Sequence, residues 1–217
     1  MTNGGTGTHG PASGRPASGA SPGDQGGLRR SHALLSLAKL LDGAPPLQVL
    51  DLGGLNQQNL DFVTGGGHRL FAEDLVLNYQ TAFTPQERLR GDVDPEKLER
   101  FLRDCLPFPD AALGAVLAWD RLQFLFPAAA SALVDRLCRL MAPGALLLAL
   151  FHPENLASAA PLTCRIFTGG AIQAAPRPSV LPVEPFNARA IERTFASFAG
   201  VKFYMTRDSL QEVLIRR

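Results

Sequence analysis

Apolar positions along the chain fall into short unbroken runs that alternate with longer stretches at helical spacing. Leu47–Leu52, Arg69–Ala72, Gly114–Trp119 and Ala145–Phe151 are the short runs, and each reads as a strand buried in a parallel sheet. Leu28–Leu41 predicts a helix, with Leu34, Leu35, Leu37, Leu40 and Leu41 clustered at helical spacing, Ser31 as N-cap, and Gly43 with Pro45-Pro46 as its stop. Gln57–Val63 is a weaker helix that breaks at Gly65-Gly66-Gly67. Thr84–Asp94 is polar and without periodicity, so it is expected to be mostly loop. Asp94 at N-cap and Pro95 at the first helical position open a helix carrying Leu98, Phe101 and Leu102. Pro127–Met141 is another helix, stopped by Pro143-Gly144. Leu162–Phe167 and Ala171–Ala174 flank Gly169-Gly170 as a small hairpin. After a last helix at Asn187–Phe198, the strands Val201–Met205 and Ser209–Ile215 follow in succession, joined by Thr206-Arg207-Asp208. Such an order predicts an α/β fold: a doubly wound, mostly parallel sheet with a terminal antiparallel hairpin.

Composition divides the chain. Residues 1–27 are nearly all Gly, Ser, Ala, Pro, Thr and Asn, and are expected to be a disordered low-complexity tail without the apolar region of a signal peptide. Residues 28–217 form one domain, in which 153–185, rich in Pro, Ala and Gly, is a candidate substrate-side insertion. A net charge of +1 supplies no field for steering nucleic acid or anionic membrane, so a nucleic-acid partner is unsupported. The longest apolar run, Ala145–Phe151, is far too short to cross a bilayer. Cys105, Cys138 and Cys164 lie far apart, with no metal-ligand spacing, and read as thiols in a reducing compartment. The expectation is a soluble, cytoplasmic protein without a metal.

Doubly wound sheets bind ligands beyond the carboxyl ends of their strands, so the candidate chemistry is whatever follows each run. Those residues are Asp51-Leu52-Gly53-Gly54, Glu73-Asp74, Trp119-Asp120 and His152. Glycines let a ligand approach the backbone, and an acid about 20 residues further on is placed to accept hydrogen bonds from a ribose diol. Gly53-Gly54-Leu55-Asn56-Gln57-Gln58 lacks the glycine spacing of a dinucleotide fingerprint. Trp119 either fills the core or faces a ligand, Asp120 either caps a turn starting at Arg121 or stands near an acceptor, and His152 is a candidate general base.

From Leu28 to Arg217 the chain resembles the class I S-adenosylmethionine-dependent methyltransferases, as a divergent member. Val49-Leu50-Asp51-Leu52-Gly53-Gly54 is similar to their first motif and Leu70-Phe71-Ala72-Glu73-Asp74 to their second-strand acid. Leu106-Pro107-Phe108-Pro109-Asp110, Leu140-Met141-Ala142-Pro143-Gly144-Ala145 and the closing hairpin are similar to later landmarks. The resemblance implies S-adenosylmethionine as cofactor. It would contact Asp51, Gly53, Gly54 and Trp119, with Glu73 or Asp74 holding the ribose. Asp120 and His152 would be the catalytic groups, acting on an acceptor, small molecule or protein, that the sequence does not identify. Leu55 stands where the family's motif has its last glycine, and no third strand is legible between Asp74 and Pro107, so the acid that meets the adenine is missing or displaced to Asp104. A second reading follows: a methyltransferase-like domain without catalysis, acting as a binding or scaffold module.

Overall fold

The computed structural model describes Met1, residues 27–204 and residues 210–217. Apart from Met1 and Gly27, the expected tail lies outside the described residues, as does the Thr206-Arg207-Asp208 connection.

The chain opens with β1 (Leu28–Arg30), followed by α1 (His32–Leu41). Helix therefore does not extend back to Leu28. Ser31 is extended and its hydroxyl accepts the Leu34 N–H, which starts the helix one residue later. Next come β2 (Gln48–Asp51), α2 (Gln57–Gly65) and β3 (Arg69–Ala72). α3 (Leu75–Ala82) follows β3, and within Thr84–Asp94, where mostly loop was expected, the chain forms a further helix, α4 (Pro85–Arg90). Asp74 caps α3. A reciprocal Thr84–Glu87 capping box with Pro85 starts α4, and Gly91 at φ 66° ends it. α4 buries none of its residues and is written in its caps and not in an apolar stripe, so periodicity passes over it.

α5 (Pro95–Cys105), β4 (Leu113–Trp119), a 3-10 turn at Arg121–Phe124 and α6 (Pro127–Leu140) lead into β5 (Met141–Phe151). Then follow β6 (Ser158–Ala159), β7 (Leu162–Phe167), β8 (Ala171–Pro176), β9 (Leu181–Pro182), α7 (Ala188–Thr194), β10 (Gly200–Tyr204) and β11 (Gln211–Arg216).

Six strands form the central sheet in the order β10-β11-β5-β4-β2-β3. β3, β2, β4 and β5 are parallel, and β11 is antiparallel to both β5 and β10. This is the methyltransferase-like, doubly wound sheet with its reversed terminal strand, and among the described residues no strand lies outside β3.

Alternate residues of each strand enter opposite cores. Leu50, Val116 and Leu147 join α3, α5 and α6 on one face, while Val49, Leu117 and Leu148 join α1 and α2 on the other. The second face is also covered by a three-stranded sheet, β1-β8-β7, which sends Leu162, Cys164, Ile166 and Ile172 into that core. The hairpin around Gly169-Gly170 is thus built as the sequence suggests, with β1 as an added strand.

Candidate functional cleft at the strand ends

Asp51 ends β2 as a fully buried carboxylate. Its Oδ1 accepts the Gly53 N–H at 2.8 Å and the Trp119 indole N–H at 2.7 Å, and its Oδ2 accepts the Asn59 amide at 2.6 Å. Burial pushes its pKa above the ordinary 3.8, against the lowering effect of those three donors and of Arg121.

Trp119 reaches Asp51 because β4 ends irregularly. The register with β5 shifts between Leu117 and Trp119, and Trp119 takes a left-handed φ of 50°. Its indole then lies over the glycine turn: a Cβ on Gly53 would stand 2.7 Å from Trp119 Cδ1. Glycine here makes room for the protein's own side chain.

Gly54 holds φ 86°, and its N–H donates to the Glu73 carbonyl at 3.1 Å, which ties the turn to the end of β3. The two acids there diverge. Glu73 accepts the Asn78 amide of α3 at 3.0 Å. Asp74 caps α3 and binds both oxygens to Arg177 Nη1, at 3.0 and 2.7 Å, while Arg177 Nη2 donates to the Gly53 carbonyl. Arg177 follows β8, so a residue from the expected insertion reaches across the glycine turn.

Asp120 and His152 are brought together, with His152 Nε2 3.1 Å from Asp120 Oδ2. That oxygen also accepts the Leu162 N–H at 2.9 Å, and Oδ1 accepts Arg121 Nη1 at 2.8 Å. Asp120 precedes the 3-10 turn without making a side-chain cap bond. Arg121 is fully buried, its Nη2 donates to the carbonyls of Leu162 and Gly53, and its Nε has no partner.

Asn59, Arg121 and Arg177 are the connecting residues that the strand-end rule misses. Asn59 joins Asp51 to β7 through the Cys164 carbonyl and the Ile166 N–H, at 3.1 and 2.9 Å. Only a buried polar position at the start of a weak helix hints at it in the sequence. Leu55, at the position of the motif's last glycine, is 71% exposed. Burial raises the Cys164 thiol well above its ordinary value and the Cys105 thiol to about 11, so neither is an activated nucleophile. Among the described residues no group of three or more His, Cys, Asp or Glu is placed to hold a metal, and no helix is long and apolar enough to cross a membrane.

No protein-family model and no curated protein matches the chain. Its fold is similar to that of several solved structures. One is the 1,6-didemethyltoxoflavin-N1-methyltransferase of Burkholderia thailandensis, solved with 1,6-didemethyltoxoflavin and S-adenosylhomocysteine bound. It shows 13% identity over 86% of this chain and 78% of that one, with a TM-score of 0.44. A SAM-dependent methyltransferase from Archaeoglobus fulgidus is 12% identical over 85% of this chain and 91% of its own, with a TM-score of 0.49. An S-adenosylmethionine-dependent methyltransferase from Mesorhizobium loti is 10% identical over 85% and 96%, with a TM-score of 0.44. The order and direction of the strands carry the fold on their own.

Proposed function

We propose that this chain is a methyltransferase-fold binding or scaffold module whose glycine turn no longer receives a methyl donor. S-adenosylmethionine is the cofactor this fold implies, and the residues at the strand ends do not fit it as they stand. The single observation that carries this reading is the Trp119 indole packed on Gly53, with Arg177 bonded to the Gly53 carbonyl above it. A donor lying against the turn would have to displace both. It would also break the Asp51–Trp119 and Asp74–Arg177 contacts.

One arrangement favours the alternative of methyl transfer from S-adenosylmethionine: the 3.1 Å Asp120–His152 pair stands beside the same turn. In that reading Asp51, Gly53, Gly54, Glu73, Asp74 and Trp119 hold the cofactor once Arg177 has moved. Asp120 and His152 then handle a proton on an acceptor, small molecule or protein. Three reduced, buried cysteines agree with a cytoplasmic protein under either reading.

Trp119 is the chain's one tryptophan, which makes the test direct. The full chain is titrated with S-adenosylmethionine and with S-adenosylhomocysteine while melting temperature and indole emission are followed. The module reading expects neither to change. A rise in melting temperature together with a shifted indole spectrum would overturn it in favour of methyl transfer.

A further inference from the structure

On the other side of the same sheet edge lies a cavity of about 320 Å³, within the size range of small-molecule sites. It is enclosed by α3, α4, the 3-10 turn after β4, and β9, and it shares no side chain with the closed glycine turn. Phe124, one of its walls, meets the His152 ring edge-on at 6.1 Å. The cavity therefore sits beside the ends of β4 and β5, in the crevice that doubly wound sheets use for ligands. Leu89, Leu125, Phe126 and Leu181 make most of it apolar.

Its polar groups are few and incompletely paired. The Tyr79 hydroxyl accepts the Phe126 N–H at 3.2 Å, and its own hydrogen has no acceptor among the described residues. Arg88 Nη1 donates to the Gln80 and Phe83 carbonyls, at 2.9 Å each, and the rest of the guanidinium has no partner among the described residues. The Glu184 carboxylate likewise has none among them. Gln123, by contrast, is saturated by the backbone of His152 and Glu184. Burial raises the Tyr79 hydroxyl's pKa against the lowering effect of the Phe126 N–H and of Arg88, and Glu184 adds to the rise.

We propose that this cavity binds a small zwitterion with an apolar side chain, an α-amino acid of the phenylalanine class. Arg88 and the Tyr79 hydroxyl take the carboxylate, Glu184 takes the ammonium, and the leucine and phenylalanine walls take the side chain. A plain carboxylate would meet Glu184 as a like charge, and a plain amine would meet Arg88. Only a ligand carrying both signs satisfies both. The inference names a ligand for the binding-module reading, but the cavity is separate from the glycine turn, so the two tests fail independently.

Calorimetry on the full chain compares phenylalanine with 3-phenylpropanoate, which lacks the ammonium, and 2-phenylethylamine, which lacks the carboxylate. Phenylalanine is expected to bind about tenfold tighter than either, the effect of one charge-assisted hydrogen bond. Glu184→Gln is expected to bring phenylalanine and 3-phenylpropanoate to within about twofold of each other. Leu89→Asp, at the exposed mouth, is expected to weaken phenylalanine about tenfold without lowering the melting temperature, which keeps the test valid if the first variant folds poorly. Absence of heat from phenylalanine at millimolar concentration, or equal affinity for all three compounds, overturns the proposal.

Discussion

The two sides of the sheet's carboxyl edge solve the same packing problem in opposite ways. On the α2 side, where the glycine turn lies, the space is filled by a polar lattice. Asp51 takes three donors, Asn59 bridges to β7, and Arg121 and Arg177 cross to the carbonyls and carboxylates around Gly53. On the α3 side most of the walls are apolar, the Arg88 and Glu184 side chains have no ion-pair partner among the described residues, and the space stays open. A buried polar group is stable only when its bonds are met, so the first side is committed to one arrangement. Apolar walls carry no such demand and can leave a hollow. The motif that resembles a cofactor site is thus the one against which Trp119 and Arg177 pack, and the segment without a motif keeps the room.

Substitutions can break this contrast, beginning with the largest expected effect. Asp51→Ala strands the Gly53 N–H, the Trp119 indole and the Asn59 amide together, and is expected to cost about 3 kcal/mol in urea denaturation. Asp51→Asn tests the same group through pH. Because the folded-state pKa of Asp51 lies above the ordinary 3.8, its contribution is present below that unfolded value and is lost as pH rises through the folded one. Wild-type stability relative to Asp51→Asn should therefore decline on going from about pH 4 to about pH 7, and a flat difference would contradict the raised pKa.

Trp119→Phe keeps a ring over Gly53 but removes the indole donor, with an expected loss of about 2 kcal/mol by the same measurement. On the open side the bonds are local and the effects smaller. Thr84→Ala removes half of the α4 capping box and should cost about 1 kcal/mol, and because α4 is a wall of the cavity it should also weaken phenylalanine binding. Smallest of all is Arg177→Ala. Its pair with Asp74 is partly exposed, at 20% and 26%, so less than about 1 kcal/mol is expected. A loss well above that would make Arg177 a structural element of the closed side and not merely its cover.

The strands and main helices were readable because burial imposes a period. Leu47–Leu52 and Gly114–Trp119 are apolar on both faces, and only a sheet covered on both sides uses such runs. α4 was not readable as a stripe, since its start depends on Thr84, Pro85 and Glu87 and none of its residues is buried. Leu28–Arg30 extended the helical pattern by composition alone, yet pairs with β8, because strand pairing across 141 to 145 positions leaves no local trace.

At the candidate site the sequence by itself determined which residues stand at the strand ends: Asp51, Gly53, Gly54, Glu73, Asp74, Trp119, Asp120 and His152 all follow directly from where the apolar runs stop. Tertiary structure alone decided what they face. Arg177 lies 124 positions from Gly53, and Cys164 lies 105 from Asn59. A strand's period reports which side chains leave water. It carries no information on which distant donor will meet a buried carboxylate, and that partner decides whether a glycine turn receives a ligand or the protein's own tryptophan.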